Sequence, residues 1–254
     1  MKWLALLLVA AGLAGCASQP ARDDSGGQPQ THAQAVAQAH TELAASYYQR
    51  TQYSVALDEL NIALQADPGY ASAYNVRGLV HMQLLEDQQA DADFRHSLRL
   101  DPGNSDTQNN YGWFLCQRGH AKESVPYFLR AVQNPLYPTP QRAYLNAGIC
   151  SQKAGETRDA ELYFRRALAR QPNMPEALLG LAGVSYAKGN YPEAGSFLLR
   201  FEKWNTSPLT AEALWLAVRI ERKLGDVNAE ASYAAQLRKN YPDSVETQLM
   251  LQPR

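Results

Sequence analysis

Small and large apolar positions recur along this chain with a period of 34 residues. Pro68 and Pro102 lie one period apart, and each follows an aspartate. Pro172 and Pro242 fit the same spacing once two-residue insertions are allowed. Proline cannot continue a helix, so it marks the end of each repeat. The residues between the prolines predict two antiparallel helices of about 14 residues, joined by a short turn.

The prolines divide residues 37–244 into six repeats, numbered units one to six in chain order, with insertions at 139–140 and 209–210. The units span 37–70, 71–104, 105–138, 141–174, 175–208 and 211–244. In unit two the pattern predicts helices near 71–84 and 87–100. Each unit has an apolar face that it cannot bury alone, so we expect neighbouring units to stack.

Small residues occupy positions 8 and 20 of most units, where the two helices of a pair approach each other. Position 8 holds Ala44, Gly78, Gly112, Gly148, Ala182 and Val218. Position 20 holds Ala56, Ala90, Ser124, Ala160, Ala194 and Glu230. Position 24 holds Leu60, Phe94, Phe128, Phe164, Leu198 and Ala234. We expect the large residue at position 24 to fill the space around the close contact between the two backbones.

Glycine at position 15 marks the turn between the two helices of units three to six. The four residues are Gly119, Gly155, Gly189 and Gly225. A left-handed backbone conformation, which suits glycine, is expected there. Pro126 lies inside the second helix of unit three, where the loss of a backbone donor predicts a kink.

Small residues at positions 8 and 20, an aromatic ring at position 24 and proline at position 32 together resemble the tetratricopeptide repeat (TPR). The resemblance implies an all-α fold: a TPR superhelix of six helix-turn-helix repeats. Units five and six follow the pattern less closely than the others. Unit six departs most, since Glu230 stands at position 20, and it is expected to cap the stack.

The N-terminal segment has the features of a lipoprotein signal peptide. Lys2 supplies a positive charge, and residues 4–14 form an apolar run too short to span a bilayer. The tetrapeptide 13–16 (Leu-Ala-Gly-Cys) resembles a bacterial lipobox, which is cut before a lipid-modified cysteine. We therefore expect a signal peptide over 1–15 and lipidation of Cys16. An ordinary signal peptide followed by an accidental cysteine is the alternative.

Residues 16–36 are expected to form a lipidated, flexible tether, because small and polar residues such as Gly26 and Gln28 cannot bury a core. An aspartate directly after the lipidated cysteine resembles an inner-membrane retention signal. Ala17 at that position therefore implies sorting to the outer membrane, with the protein facing the periplasm. Residues 245–254 are expected to form a short C-terminal tail.

The charge balance argues against nucleic-acid binding. Lys and Arg together number 24 and Asp and Glu 25, for a formal net charge of −1, whereas nucleic-acid-binding domains carry a basic surplus. The sequence holds no Gly-rich phosphate loop, nucleophile elbow or pair of histidines at metal-binding spacing. We therefore expect a protein that is not an enzyme, without catalytic residues, cofactors, metal ions or a small-molecule substrate.

Cys116 and Cys150 occupy positions 12 and 10 of the first helices of neighbouring units, so stacking would bring them near each other. The expected compartment is oxidising and permits a disulfide. The distance window for a bridge is narrow, however, and buried cysteines commonly serve as small apolar side chains. We interpret both residues as buried thiols, with a disulfide as the alternative.

The first helices of the units are expected to line the concave face of the superhelix through positions 5, 9 and 12, which share one helical face. In units one to three these positions supply the partner groove: Tyr48, Asn75, Leu79, Met82, Asn109 and Trp113. Its apolar character suits an amphipathic helix or an apolar peptide. Arg219 and Arg222 stand at positions 9 and 12 of unit six, where we expect a smaller contribution to binding.

Three segments carry a more specific resemblance: 109–117 (NNYGWFLCQ), the insertion 134–140 (NPLYPTP) and 142–150 (RAYLNAGIC). With the lipobox, the six repeats and the chain length, they resemble the type IV pilus biogenesis and stability lipoproteins of the PilF/PilW pilotin family. The resemblance extends over nearly the whole chain. The insertion is its most specific part, because generic TPRs lack it.

The family resemblance implies a non-catalytic role in pilus assembly. A pilotin binds subunits of the secretin, the outer-membrane channel of the type IV pilus, and promotes their outer-membrane targeting and multimerisation. The implied partners are secretin subunits, the lipoprotein-sorting machinery, and the outer membrane through the acyl chains. The alternative is an outer-membrane TPR adaptor that scaffolds periplasmic proteases or cell-wall hydrolases.

The lipobox prediction is tested by Cys16→Ala. Without the acyl acceptor, the variant is expected to leave the outer-membrane fraction, because each buried methylene of an acyl chain contributes about 0.8 kcal/mol to membrane binding. Membrane fractionation and electrophoretic mobility measure the change, and circular dichroism is expected to show unchanged helicity. Unchanged outer-membrane recovery and mobility would contradict lipidation at Cys16.

Overall fold

The computed structural model describes residues 30–252, and this part of the chain is all-helical, as predicted. The first twelve helices form six antiparallel pairs, each with a first (A) and a second (B) helix, and a short helix follows. The helices are α1 (His32–Gln49), α2 (Tyr53–Ala66), α3 (Ala71–Gln83), α4 (Asp87–Leu100), α5 (Ser105–Gln117), α6 (Ala121–Ala131), α7 (Pro140–Lys153), α8 (Thr157–Arg170), α9 (Pro175–Ala187), α10 (Tyr191–Trp204), α11 (Ala211–Leu224), α12 (Val227–Asn240) and α13 (Val245–Leu251). No helix of residues 30–252 is long and apolar enough to cross a membrane.

The two helices predicted for unit two, 71–84 and 87–100, correspond to α3 and α4. Each A helix packs on its own B helix and on the A helix of the next pair, so the pairs stack in chain order. The predicted signal peptide (1–15) and Cys16 lie outside the described residues.

Helical structure extends beyond the repeats at both ends of the described range. Helix α1 begins at His32, inside the segment expected to be a tether, because its alanine-rich start favours helix and Ala37 is buried. The predicted tail contains α13, which packs against α11 and α12. The Ser244 side chain caps α13 by accepting a hydrogen bond from the backbone N–H of Thr247 (3.2 Å).

In units two to four, the A and B helices approach closely because the phenylalanine ring at position 24 packs directly on the glycine at position 8. In unit four, a Cβ atom added at Gly148 would lie 2.6 Å from the ring of Phe164, which is fully buried. Gly112 and Phe128 meet in the same way in unit three, where the distance would be 2.9 Å. Gly180 of the next pair also touches the Phe164 ring. Positions 8 and 24 therefore pack as the sequence predicted.

The A-to-B turns have the predicted left-handed conformation. Gly119, Gly155, Gly189 and Gly225 have φ values between 78° and 89°. In units one and two, Thr51 and Leu85 occupy the same position with φ values of 59° and 62°. Two residues that carry a Cβ atom thus adopt a conformation that glycine adopts at lower cost, which shows that the turn geometry is imposed by the packing of the two helices.

Cys116 and Cys150 form a disulfide bond, so the interpretation as two buried thiols is wrong. The stacking of α5 on α7 brings their Cα atoms to 5.8 Å, inside the window for a bridge. Whether the two sulfur atoms meet depends on how far one A helix is displaced along the next. The repeat pattern does not give that displacement. The bond joins units three and four across a sequence separation of 34 residues.

Helix α6 continues through Pro126 and ends at Ala131 after 11 residues, whereas the other B helices have 14. The kink expected at this proline stays a prediction. Segment 134–140, which follows this helix, begins with a turn in which the Asn134 side chain accepts a hydrogen bond from the backbone N–H of Leu136 (2.9 Å). Tyr137 is buried beneath it, and this burial raises the pKa of its hydroxyl group.

Overpacking tests the helix interface. Gly148→Leu and Ala160→Leu are each expected to lower the free energy of unfolding by about 1–3 kcal/mol, because both sites are fully packed. Ala169→Leu, on the exposed face of α8, is the matched control and is expected to change it by less than about 0.5 kcal/mol. Urea denaturation measures all three. Wild-type midpoints for both packed sites would contradict the assigned interface.

Removing the disulfide tests its contribution to stability. The double variant Cys116→Ala/Cys150→Ala is expected to lose about 2–4 kcal/mol of unfolding free energy, because the bridge restricts the unfolded chain. Urea denaturation with and without dithiothreitol measures it. The reductant should lower the wild-type midpoint and leave that of the double variant unchanged; equal midpoints for all samples would contradict a stabilising bridge.

Candidate functional site

The partner groove predicted in units one to three is only partly open at the surface. Tyr48, Leu79, Asn109 and Trp113 are half-buried, so each presents some surface to solvent. Asn75 and Met82 are only 7% exposed. The structure therefore leaves four of the six predicted residues with substantial accessible surface.

The two buried groove residues are covered by the A helix of unit three. Asn75 accepts a hydrogen bond from the Asn110 amide (3.1 Å). Met82 packs in a cluster with Phe94 and Phe114, and its backbone carbonyl accepts a hydrogen bond from Arg118 (2.9 Å). Both side chains therefore stabilise the junction between units two and three.

Trp113 lies at the junction of two apolar clusters of the core, one in units two and three and the other in units three and four. One part of its ring packs against these clusters, and the remainder faces the concave surface. The Lys153 ammonium group, at the end of α7, lies 6.0 Å from the ring centre and donates a hydrogen bond to Gln117 (3.3 Å). The ring thus packs against apolar side chains and has a cation over its face, where the ring quadrupole attracts positive charge.

A relay of asparagine amides crosses the concave surface from unit two to unit four. The Asn146 amide donates to Asn109 (3.0 Å), Asn109 to Asn110 (3.4 Å), and Asn110 to Asn75 (3.1 Å). Each amide has more hydrogen-bonding capacity than these bonds use. The relay fixes the spacing of three A helices and leaves hydrogen-bonding capacity on Asn109 and Asn146.

Tyr111 lies on α5, the helix that carries Trp113, and connects this helix to α4 of unit two. Its hydroxyl group donates a 2.7 Å hydrogen bond to Asp91. Burial, together with the hydrogen bond and the charge of Asp91, raises the pKa of Tyr111 well above its ordinary value. The hydroxyl therefore stays protonated and serves as a fixed donor that orients α5, and with it Trp113.

A well-formed cleft lies in units four to six, and none of the six partner-groove residues lines it. Its volume is about 1060 Å³, and it follows α9 along its whole length from Pro175 to Ala187. Ile149 of α7 and Leu216 of α11 line its sides, and the loop 205–210 closes one edge. We call this the C-terminal cleft.

Sequence reasoning missed the C-terminal cleft, although two signals pointed to it. The insertion at 209–210 lengthens the loop between α10 and α11, and that loop forms a wall. Gly183 at position 9 of unit five supplies no side chain where other units have one, which opens the floor. Both features were visible in the sequence, but only the stacking of the units shows that they meet.

One cation in the C-terminal cleft has no anionic partner. The Nε atom of Arg219 is buried and makes no hydrogen bond, and Arg219 takes part in none of the ion pairs of residues 30–252. Its guanidinium group lies 5.0 Å from the ring centre of Tyr186 and 5.4 Å from that of Trp215. Arg222, one turn later, instead donates a 2.7 Å hydrogen bond to Glu230.

The part of the chain that the structure describes contains no metal-binding site. No group of three His, Cys, Asp or Glu side chains within it is arranged to hold a metal ion. His81 is paired with Glu86 (2.5 Å) and lies near Asp93, which itself binds Arg77 through two hydrogen bonds. This cluster connects α3 to α4.

Comparison with known proteins agrees with the repeat architecture. The tetratricopeptide repeat family matches residues 41–105 and 152–208, and a second tetratricopeptide repeat family matches 212–244. The type IV pilus assembly protein PilF of Pseudomonas aeruginosa is 30% identical over 247 residues, which cover 96% of this chain and 95% of that protein.

Two solved structures share both fold and sequence with this chain. The crystal structure of PilW, described as a widely conserved type IV pilus biogenesis factor, has a TM-score of 0.77 and 37% identity, covering 85% of this chain and 99% of PilW. The structure of Pseudomonas aeruginosa PilF has a TM-score of 0.81 and 30% identity, covering 87% and 98%. The chain is therefore a member of the PilF/PilW family of tetratricopeptide repeat proteins, which act in type IV pilus biogenesis.

Proposed function

We propose that this protein is an outer-membrane lipoprotein pilotin that binds secretin subunits through the partner groove and promotes their targeting and multimerisation. The alignment with PilF over 96% of the chain is the observation that carries the proposal. It supports a role in pilus assembly for the whole repeat array. The experiments below address secretin binding, and the Cys16→Ala variant described above addresses the lipid anchor.

The surface chemistry of the partner groove supports protein binding. Tyr48, Leu79 and Trp113 present partly exposed apolar surface on the concave side of three consecutive A helices. The Tyr48 hydroxyl already accepts a hydrogen bond from Gln83 (3.3 Å), which fixes its orientation. Rigid aromatic side chains of this kind often dominate the free energy of protein association, because they lose little conformational entropy on binding.

The asparagine relay supports recognition of a polypeptide backbone beside these apolar contacts. Asn109 lies one helical turn before Trp113 on α5, so both face the same groove. An apolar side chain of the secretin would pack on Trp113 while its backbone bonds to Asn109. The acyl chains on Cys16 would hold this complex at the periplasmic face of the outer membrane.

Truncation of the aromatic side chain tests the groove. Trp113→Ala is expected to weaken secretin-subunit binding by at least about 2 kcal/mol, or about thirty-fold, on the scale of interface hot spots. Calorimetry with purified subunits measures the affinity, and cells are expected to contain fewer heat-resistant secretin multimers. Trp113→Phe, which keeps a ring against the two apolar clusters, is expected to retain more of the affinity.

The matched control is Arg219→Ala, which changes the concave surface outside the partner groove and is expected to leave secretin binding within about twofold. Thermal unfolding by circular dichroism establishes that each variant is folded. Full secretin binding by Trp113→Ala together with loss by Arg219→Ala would move the site to units five and six. Copurification of periplasmic proteases or cell-wall hydrolases in place of the secretin would favour an adaptor role.

A further inference from the structure

We propose that the C-terminal cleft is a second, independent binding site, for a polypeptide segment whose apolar side chains flank one aspartate or glutamate that pairs with Arg219. None of the six partner-groove residues lines this cleft. The two sites therefore share no lining residue and meet at Lys153, a cleft residue whose ammonium group lies 6.0 Å from the centre of the Trp113 ring.

The size and shape of the cleft favour a polypeptide over a small molecule. Its volume of about 1060 Å³ lies at the upper limit of small-molecule pockets, which measure roughly 300–1000 Å³. It is a trough along a 13-residue helix, so it is about 18 Å long. An extended chain of about five or six residues spans that length.

The lining of the cleft determines what such a segment carries. Leu179 and Ile149 on the A helices and Leu209 on the loop supply apolar lining. Gly183 adds no side chain, and a Cβ atom placed there would lie 3.3 Å from the Gln152 amide nitrogen. Apolar side chains of the ligand would fill this space and be removed from water, which contributes about 25 cal/mol for each Å² of apolar surface buried.

Arg219 specifies the acidic group. Its guanidinium group is held between the rings of Tyr186 and Trp215, which favours a fixed position. Its Nε atom is buried without a hydrogen bond, and the group takes part in no ion pair within residues 30–252, so the Nη atoms, which carry the remaining N–H groups, are the donors left for a ligand. A carboxylate is the group that matches a guanidinium in charge and geometry.

The charges around the cleft give the bound segment a direction. Glu176 and Glu212 line the cleft near the first residues of α9 and α11. Arg219 and Lys153 lie toward the C-terminal ends of their helices. Since Glu212 precedes Arg219 by seven residues, about 10 Å separates the acidic and basic ends along the helix axis. A ligand carboxylate is thus attracted to one end and repelled from the other.

The experiment selects the ligand without assuming its sequence. Random ten-residue segments, displayed between flanking linkers so that no free terminus is present, are selected on the full-length protein and counter-selected on Arg219→Gln. Segments that survive are expected to carry one aspartate or glutamate among apolar residues. Fluorescence polarisation then measures the affinity of acetylated, amidated peptides of the selected sequences.

Arg219→Gln is expected to weaken binding of these peptides at least tenfold, and replacing the peptide acid by its amide is expected to do the same with the wild-type protein. Arg222→Gln is the matched control: it removes the same charge from the same helix, but from a guanidinium already paired with Glu230, so binding should change less than twofold. Gly183→Leu, which fills the floor, should abolish binding of acidic and amide peptides alike.

Three results would overturn the proposal. One is a selection that yields no segment able to distinguish the wild-type protein from Arg219→Gln. Another is equal affinity for a selected peptide and its amide version, a comparison that uses only the wild-type protein and is independent of how any variant folds. The third is a selected peptide that binds only when its C-terminal amide is replaced by a free carboxylate, because the ligand would then be a chain end and not an internal acidic side chain.

Discussion

The direct contact of a phenylalanine ring with a glycine backbone sets the distance between the helices of the central units. The contacting pairs are Gly78–Phe94, Gly112–Phe128 and Gly148–Phe164. Because the ring occupies the volume that a side chain at the glycine would fill, the A helix of each unit lies at a defined distance from its B helix. The A helices of these three units are positioned in this way, including the helix that carries Trp113. Phe164 also touches Gly180, so the same ring joins unit four to unit five.

Features that depend on residues close in sequence were predictable, and features that depend on the relation between units were not. The glycine turns and the two helices of unit two follow from local preferences and the 34-residue period. The disulfide depends on how far one A helix is displaced along the next, which the period leaves undefined. Asn75 was expected to face a partner, yet Asn110 of the following unit covers it. Neighbouring A helices compete for the same surface that a ligand would use, and residue type alone does not decide between them.

The partner groove and the C-terminal cleft differ in their hydrogen bonding and in the side chains that line them. The partner groove combines aromatic side chains with an amide relay that is already internally bonded, so it is rigid before any ligand arrives. The C-terminal cleft has Gly183 in its lining and contains a buried donor without an acceptor. We therefore expect shape and apolar contact to dominate recognition at the first surface, and charge to contribute more at the second. One continuous stack of similar units thus presents two chemically different surfaces.

The position of the disulfide gives the stack an uneven stiffness. Since each unit contacts only its neighbours, a load applied at one end of such a solenoid spreads as a small rotation at every junction, as in a coiled spring. The bridge between Cys116 and Cys150 removes that freedom from the junction of units three and four. Elastic deformation is then confined to the junctions on either side. The partner groove and the C-terminal cleft lie on opposite sides of this clamp, so each surface bends about junctions of its own.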